Sequence, residues 1–425
     1  MSIEKTLEYI HKIKWLGSKP GLSRTRELLG LMGNPQKELK FVHVAGTNGK
    51  GSVCAYISSV LQEAGYKTGL YTSPYINRFN ERMQINGKSI TDEELEELTD
   101  YIRPYADGMS DPPTEFEVIT ALAFEYFARN KCDIVVLEVG MGGELDSTNV
   151  IDTPECAVIT SIGLDHTKQL GSTIAEIAKA KAGIIKGGDT ASYESEGEAY
   201  EVIKSACVRS GANLVTADFS EIKNLKTGTD GSTFDYKGLC GIKIPLSGTY
   251  QPKNCALAVE TVRLLAKKGY DITDENIKEG LRKTKWSGRF EILGREPTFI
   301  LDGAHNPHGM KAAAESIGAL FGQKKTVFIV GAMADKDIDG MFSLIVPLAD
   351  MFFTVTPENE RSMPAEDLMR HIEALGGRAV SCEGFSEAVS RAVERAGKDG
   401  VVAALGSLYF SSDIRKAYNE YVQGV

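Results

Sequence analysis

A lysine set between glycines and followed by a hydroxyl, Gly46-Thr47-Asn48-Gly49-Lys50-Gly51-Ser52, is the run best suited to chemistry in this sequence. Gly46 and Gly49 let the backbone turn tightly with amide groups facing inward. Lys50 adds a full positive charge to the partial one at a helix start, and Ser52 offers an oxygen to a magnesium ion. That combination suits a phosphate. The run departs from the common G-x-x-x-x-G-K-[ST] pattern, because its glycines are closer together and Gly51 stands where the hydroxyl follows the lysine. A plain structural turn would need neither Lys50 nor Ser52. Glu138 is a second candidate, since it ends the apolar run Ile134-Val135-Val136-Leu137. A carboxylate there needs a partner, which a hard cation or a basic side chain can supply.

The flanking elements fit such a loop. Phe41–Ala45 reads as a buried strand, and Val53, Tyr56, Ile57, Val60 and Leu61 recur at helical spacing over 52–65. A second strand covers 66–72, and 74–90 reads as a long irregular segment. Helices are expected over 2–17, 24–32, 92–106 and 116–130. Buried parallel strands are expected over 132–139 and 157–162. Alternating strands and helices imply α/β architecture, a doubly wound sheet with ligands beyond the carboxyl ends of its strands. Lys50, Ser73, Glu138 and His166 all fall at such ends. Residues 187–245 carry two or three short elements and a hairpin at 227–233, followed by helices at 250–268 and 274–283. Residues 292–297 read as a link to a second, smaller Rossmann-like series, with strands at 298–301, 326–330, 351–355, 378–381 and 400–405. The expected domains are 1–293, with the nucleotide loop, and 298–425.

The variant loop GTNGKGS resembles that of the muramyl-peptide and folylpolyglutamate ligases. Tyr71-Thr72-Ser73-Pro74 and Phe79-Asn80-Glu81-Arg82-Met83-Gln84-Ile85-Asn86-Gly87 narrow the choice. They resemble the TSPH…FNERI.ING signature of the folylpolyglutamate synthase and dihydrofolate synthase family. So do Asp165-His166-Thr167-Lys168-Gln169-Leu170-Gly171 and Asp302-Gly303-Ala304-His305-Asn306-Pro307, and the likeness covers nearly the whole chain. The resemblance implies a P-loop ATPase-like domain followed by a glutamate-ligase domain. It implies the reaction of ATP, a folate and L-glutamate to ADP, phosphate and a folate longer by one glutamate, through an acyl phosphate. Dihydropteroate as acceptor, or use of both acceptors, stays open. FNERM-x-ING and DGAHNP argue against a muramyl-peptide ligase.

By position, the resemblance implies nucleotide contacts from Asn48, Gly49, Lys50, Gly51 and Ser52. Asn254, Arg289 and Asp302 would meet the adenine, phosphate and ribose in that rough order. It implies two magnesium ions, with Ser52, Ser73, Glu138 and His166 as ligands, and catalytic roles for Lys50, Lys181 and His166. Lys181 would be carbamylated. Arg82, Phe116, Glu117, Asp146, His305 and Ser407 would contact the substrates, with Arg82, His305 and Ser407 reaching the interdomain cleft. For Arg82 the plainer alternative is a surface ion pair with Glu81 or another acid; for Lys181, a surface lysine on an amphipathic helix. Four positions depart from the family pattern: Tyr75 and Tyr250 replace histidines, Glu144 an arginine and Ala180 a glutamate. Ala180, Glu144 and Tyr250 motivate a further alternative, a nucleotide-binding protein without activity.

Composition agrees with a globular enzyme. The chain has 425 residues, long enough for two or three cores, with 42% hydrophobic and 25% charged residues. A net charge of −10 disfavours nucleic acid as a partner. No apolar run reaches the ~20 residues of a membrane span. The first residues, MSIEKTLEYIHKIKW, mix charges on an amphipathic pattern unlike a leader peptide. Seven scattered cysteines without a C-x-x-C pair read as reduced thiols. A cytoplasmic monomer acting on small molecules is expected.

Overall fold

The computed structural model describes residues 2–12, 21–322 and 324–424. The first helix is Ile3–Lys12, and the rest of the expected 2–17 helix lies outside the described residues. The chain divides into two compact units. The first holds residues 1–222, 236–242 and 253–284, and the second 223–235, 243–252 and 285–425.

The first unit is built on an eight-stranded sheet. Its strands are β1 (Phe41–Ala45), β2 (Thr68–Tyr71), β3 (Met83–Ile85), β4 (Lys88–Ser89), β5 (Ile134–Glu138), β6 (Cys156–Ile159), β7 (Asp189–Ser192) and β8 (Asn213–Thr216). The order is β4-β3-β2-β5-β1-β6-β7-β8. Pairs among β1, β2, β5, β6, β7 and β8 are parallel, and β3 and β4 join antiparallel at one edge. Segment 74–90 is therefore less irregular than its composition suggests. It holds a 3-10 turn, Phe79–Arg82, and the two short edge strands. The chain runs to one side of β1 first and crosses to β6 later, so the strand order reverses at β1, where such sheets place ligands. Every residue of β1 and β5 is buried, as strands covered on both faces require.

Local signals set the helices that matter for the site. Thr114 and Thr173 each form a reciprocal cap with a glutamate three residues on, Glu117 and Glu176, starting the helices Glu115–Arg129 and Ile174–Ala182. The helix Lys50–Glu63 lies against Asp274–Lys283 at Gly280. A β-carbon there would come within 2.5 Å of the Val60 Cα, so only glycine permits this approach. The Ser59 hydroxyl donates to the Gly280 carbonyl at 2.6 Å. The glycine-loop helix is thereby held from behind.

Strands β9 (Ile222–Gly228), β10 (Gly231–Tyr236) and β11 (Leu239–Ile244) make a three-stranded sheet, with the expected hairpin turn between the first two. The second unit has a six-stranded sheet from β12 (Glu291–Arg295), β13 (Thr298–Leu301), β14 (Thr326–Val330), β15 (Ala349–Thr354), β16 (Ala379–Ser381) and β17 (Val401–Leu405), in the order β12-β13-β17-β14-β15-β16. Only β12 is antiparallel. The segment expected as a link is thus this edge strand, paired with β13 in a hairpin around Glu296-Pro297. Apolar clusters cover both faces, one with Phe328, Phe352 and Phe342 and the other with Phe299, Phe353 and Phe410. No helix among the described residues is long and apolar enough to cross a membrane.

Candidate active site

The glycine loop leaves β1 with two of its amides already committed. Thr47 N and Asn48 N donate to the Ser161 carbonyl at 2.8 and 3.3 Å, and the Thr47 hydroxyl both donates to and accepts from Gly163. The segment after β6 therefore grips the loop. Gly46 has φ +156°, and a β-carbon on it would strike the Thr160 side chain. Gly49 has φ +87° and lies so close to Asn254 that a β-carbon would sit 2.8 Å from its Oδ1. The first bond of the helix ladder is Val53 N to Gly49 O, so the amides of Lys50 and Gly51 stand ahead of it, where a helix attracts an anion. Ser52 is buried in that first turn.

Two lysines meet at one carbonyl. Lys50 Nζ donates to Gly46 O at 3.1 Å and to Thr47 O at 3.2 Å, and Lys181 Nζ donates to Gly46 O at 2.8 Å. Lys181 is only 4% exposed, which rules out a surface lysine. Burial, and then the charge of Lys50, lowers its pKa to about 7. Its helix is tied to the 143–144 turn, with Glu144 N donating to Ala180 O at 2.8 Å. A β-carbon on Gly143 would approach the Lys181 Cα to 3.0 Å.

Glu138 ends β5 and is 4% exposed; its Oε2 accepts from Ser73 N at 3.0 Å. Ser73, which follows β2, thus meets the carboxylate of the neighbouring strand. His166 takes φ +50° before the short helix Thr167–Leu170, with its backbone N donating to Asp165 Oδ1 and its Nε2 3.9 Å from Asp165 Oδ2. The described residues contain no group of three or more His, Cys, Asp or Glu able to hold a metal alone. A single buried carboxylate fits magnesium all the same, because that ion takes one or two protein carboxylates and completes its shell with phosphate oxygens and water.

The expected substrate residues of this unit have definite settings. Phe116 packs against Tyr71 with the rings tilted at 47° and their centres 6.2 Å apart, and fills the space beside Gly140. Glu117 is buried and receives both Nε and Nη2 of Arg24 at 3.0 Å. Arg82 makes no pair with Glu81, whose carboxylate accepts from Ile76 N, Asn77 N and Asn77 Nδ2. Its guanidinium lies 5.2 Å from the Tyr75 ring centre and 5.6 Å from that of Phe79, and its Nε is buried without a hydrogen-bond partner. Asp146 accepts from Met141 N, Thr148 N and the Thr148 hydroxyl. Burial raises its pKa against these bonds.

That last contact exposes two residues that pattern reading passed over. Thr148 Oγ1 donates to Asp146 at 2.6 Å and lies 2.9 Å from His43 Nε2, inside β1. A hydroxyl has one proton, so His43 must donate from Nε2, and its buried Nδ1 is the bare acceptor without a partner. Protonation would bury a donor with nothing to bond, and burial lowers the His43 pKa to about 3. The only signal in the sequence was a histidine within an otherwise apolar strand.

The second unit places its expected residues at the ends of β13 and β17. Asp302 Oδ2 accepts from Phe290 N at 2.7 Å and from Tyr250 OH at 3.0 Å, and Oδ1 accepts from Ala304 N at 2.8 Å. The Tyr250 departure is thereby accounted for, since its phenol anchors Asp302. Arg289 lies against Gly303, where a β-carbon would sit 2.4 Å from Nη1. His305 Nδ1 is 2.7 Å from Gly303 O, and buried Ser407 accepts from Tyr409 N.

A glycine loop with a lysine at its head, at the strand-order reversal of a parallel sheet, defines a mononucleotide-loop α/β protein. Comparison narrows this. The Mur ligase middle domain matches residues 44–262, and the glutamate ligase domain of Mur ligases matches 288–408. The dihydrofolate synthase/folylpolyglutamate synthase of Bacillus subtilis is 39% identical over 420 residues, covering 96% of this chain and 97% of the relative. The folylpolyglutamate synthase of Lacticaseibacillus casei is 36% identical over 430 residues, 98% of each chain. The structure of Mycobacterium tuberculosis folylpolyglutamate synthase complexed with ADP and AMPPCP superposes with a TM-score of 0.89 at 30% identity, covering 98% of this chain and 99% of that one. The chain belongs to the folylpolyglutamate synthase and dihydrofolate synthase family of Mur ligases.

Proposed function

We propose that this chain is an ATP-dependent ligase that joins L-glutamate to the carboxylate of a folate, releasing ADP and phosphate. The observation that carries the reading is the convergence of Lys50 and Lys181 on Gly46 O in the glycine loop of a chain collinear with synthases of this name. A carboxylate is a poor electrophile. Transfer of the γ-phosphoryl group to it makes an acyl phosphate, which the glutamate amine attacks as phosphate leaves and the amine loses its proton. The difficulty is electrostatic, because anionic ATP must meet an anionic acceptor.

The residues address that difficulty. Lys50, now on loop carbonyls, can turn to the β/γ-phosphates, joined by the amides of Gly49, Lys50 and Gly51 and by the Asn48 side chain. Asn254 would contact the adenine, Arg289 the phosphates through its planar fork, and Asp302 the ribose through its remaining acceptor direction. Ser52, Ser73, Glu138 and His166 would hold two magnesium ions. Magnesium, when bound, neutralises charge between phosphate oxygens. Lys181, with a pKa near 7, offers an amine neutral enough to take up carbon dioxide, and the carbamate adds a fixed negative charge beside the cations. Phe116, Glu117 and Asp146 would serve the pterin side of the acceptor. Arg82, His305 and Ser407 would serve the carboxylates of glutamate. We take the enzyme to act as a cytoplasmic monomer.

A second reading rests on the Bacillus subtilis relative, whose name covers both activities. Dihydropteroate would then be an acceptor as well. Glutamate-dependent ADP release, measured with tetrahydrofolate and with dihydropteroate, tests both. Release with the folate supports the main reading, release with both supports the second, and release with neither refutes the assignment.

A further inference from the structure

The first unit carries a basic cavity away from the glycine loop. Its volume is about 780 Å³, and Arg26, Lys37 and Lys186 line it together with Asp152, Asn34 and Gln36. Gln36 and Lys37 precede β1, and Asp152 precedes β6. The glycine loop follows β1, and the two strands are parallel. The cavity is therefore at the opposite end of these strands, about 17 Å away for a five-residue strand.

Three cations face one carboxylate in the lining, on a chain whose net charge is −10. Arg26 and Lys37 are exposed and have no ion pair among the described residues. Lys186 is fixed, with Nζ donating to Asn149 O at 2.7 Å and Ile151 O at 2.6 Å, which leaves its third proton uncommitted. Burial and then the charge of Arg26 lower the Lys186 pKa to about 8, so the two cations repel each other. Gln36 is 7% exposed, and its Oε1 has no hydrogen-bond partner. Three cations gathered around one carboxylate make poor packing and a good receptor for an anion. A bound anion would relieve that repulsion.

We propose that this cavity binds a small oxyanion of two or more negative charges, held by Arg26, Lys37 and Lys186. A phosphate-bearing molecule and a short chain of carboxylates share that chemistry. The site is separate from the ligase site and does not depend on the assigned reaction.

Isothermal titration of pyrophosphate into full-length Lys50→Ala and into Lys50→Ala/Arg26→Ala/Lys37→Ala tests the proposal. The shared Lys50→Ala change weakens binding at the glycine loop in both proteins, so their difference reports the cavity. Arg26 and Lys37 are exposed, so the fold should survive, and unchanged circular dichroism and Tm check this. The expected result is saturable binding that weakens at least ~tenfold in the triple variant, as loss of charged hydrogen bonds implies. A parallel titration with tri-γ-glutamate separates the two sources of anion. Binding of either probe that depends on Arg26 and Lys37 supports the site and names its ligand class. Equal affinity of both proteins for both probes, or no binding to Lys50→Ala, overturns it.

Discussion

Replacing Lys181 by methionine should stabilise the protein near neutral pH, and the gain should fade as pH rises. In the unfolded chain the amine keeps its proton up to its ordinary 10.5, and in the fold only up to about 7. Between those values the unfolded state binds more protons, so the stability of the native chain climbs with pH. Below about 7 the amine is protonated in both states and the penalty is constant. Each pH unit in the window is worth about 1.4 kcal/mol, so Lys181 costs roughly 5 kcal/mol at pH 7 and nothing by 10.5. Methionine removes that cost and forfeits the bond to Gly46 O, worth about 1 kcal/mol. The expected net gain is about 4 kcal/mol at pH 7, turning to a small loss above pH 10. Urea unfolding of both proteins in carbon-dioxide-free buffer from pH 7 to 10 measures it. A stability difference flat with pH would mean that Lys181 keeps its proton in the fold. Added bicarbonate at pH 8 should stabilise only the native chain, since carbamate formation consumes the neutral amine of the folded state.

Three other outcomes follow from the site. Glu138→Gln removes one charge from a hard-cation position at nearly constant volume and should raise the magnesium concentration for half-maximal rate at least ~tenfold; an unchanged magnesium curve would make Glu138 structural. Arg82→Ala should raise the KM for glutamate at least ~tenfold with that for ATP barely moved, since a charged hydrogen bond is worth roughly 1.5–3 kcal/mol; equal rises for both would show that its segment governs the whole site. Thr148→Val leaves Asp146 short of one donor and His43 without an acceptor, so it should cost about 1–3 kcal/mol of stability and raise the KM for the acceptor more than that for ATP; an acceptor KM like that of the native chain would confine the His43–Thr148–Asp146 chain to packing.

The fold was largely readable from strands buried on both faces. Phe41–Ala45 and Thr326–Val330 match their expected bounds, because an apolar run between turn residues has few other places to go. Edge elements were harder to read. Lys88–Ser89 and Glu291–Arg295 pair on one side only, so their polar residues look like loop. The closing helix Ser411–Gln423 was not anticipated, since its first turn, Ser411-Ser412-Asp413, resembles a linker. At the site, residues tied to backbone turns were legible, Lys50 and Glu138 above all. Tertiary partners were not. Nothing in a one-dimensional pattern ties His43 to Thr148, Arg24 to Glu117, or Tyr250 to Asp302. The plainer alternative for Arg82, an ion pair with its neighbour Glu81, also fails, because Glu81 caps its own turn and Arg82 lies over two rings.

The central claim is that the acceptor carboxylate is phosphorylated before glutamate attacks. A tetrahydrofolate acceptor labelled with oxygen-18 in its reacting carboxylate, incubated with the enzyme, ATP, magnesium and L-glutamate, tests this by mass spectrometry of the released phosphate. One labelled oxygen per phosphate, appearing only when all three substrates are present, is the predicted result. Unlabelled phosphate formed alongside the glutamylated product would contradict the account.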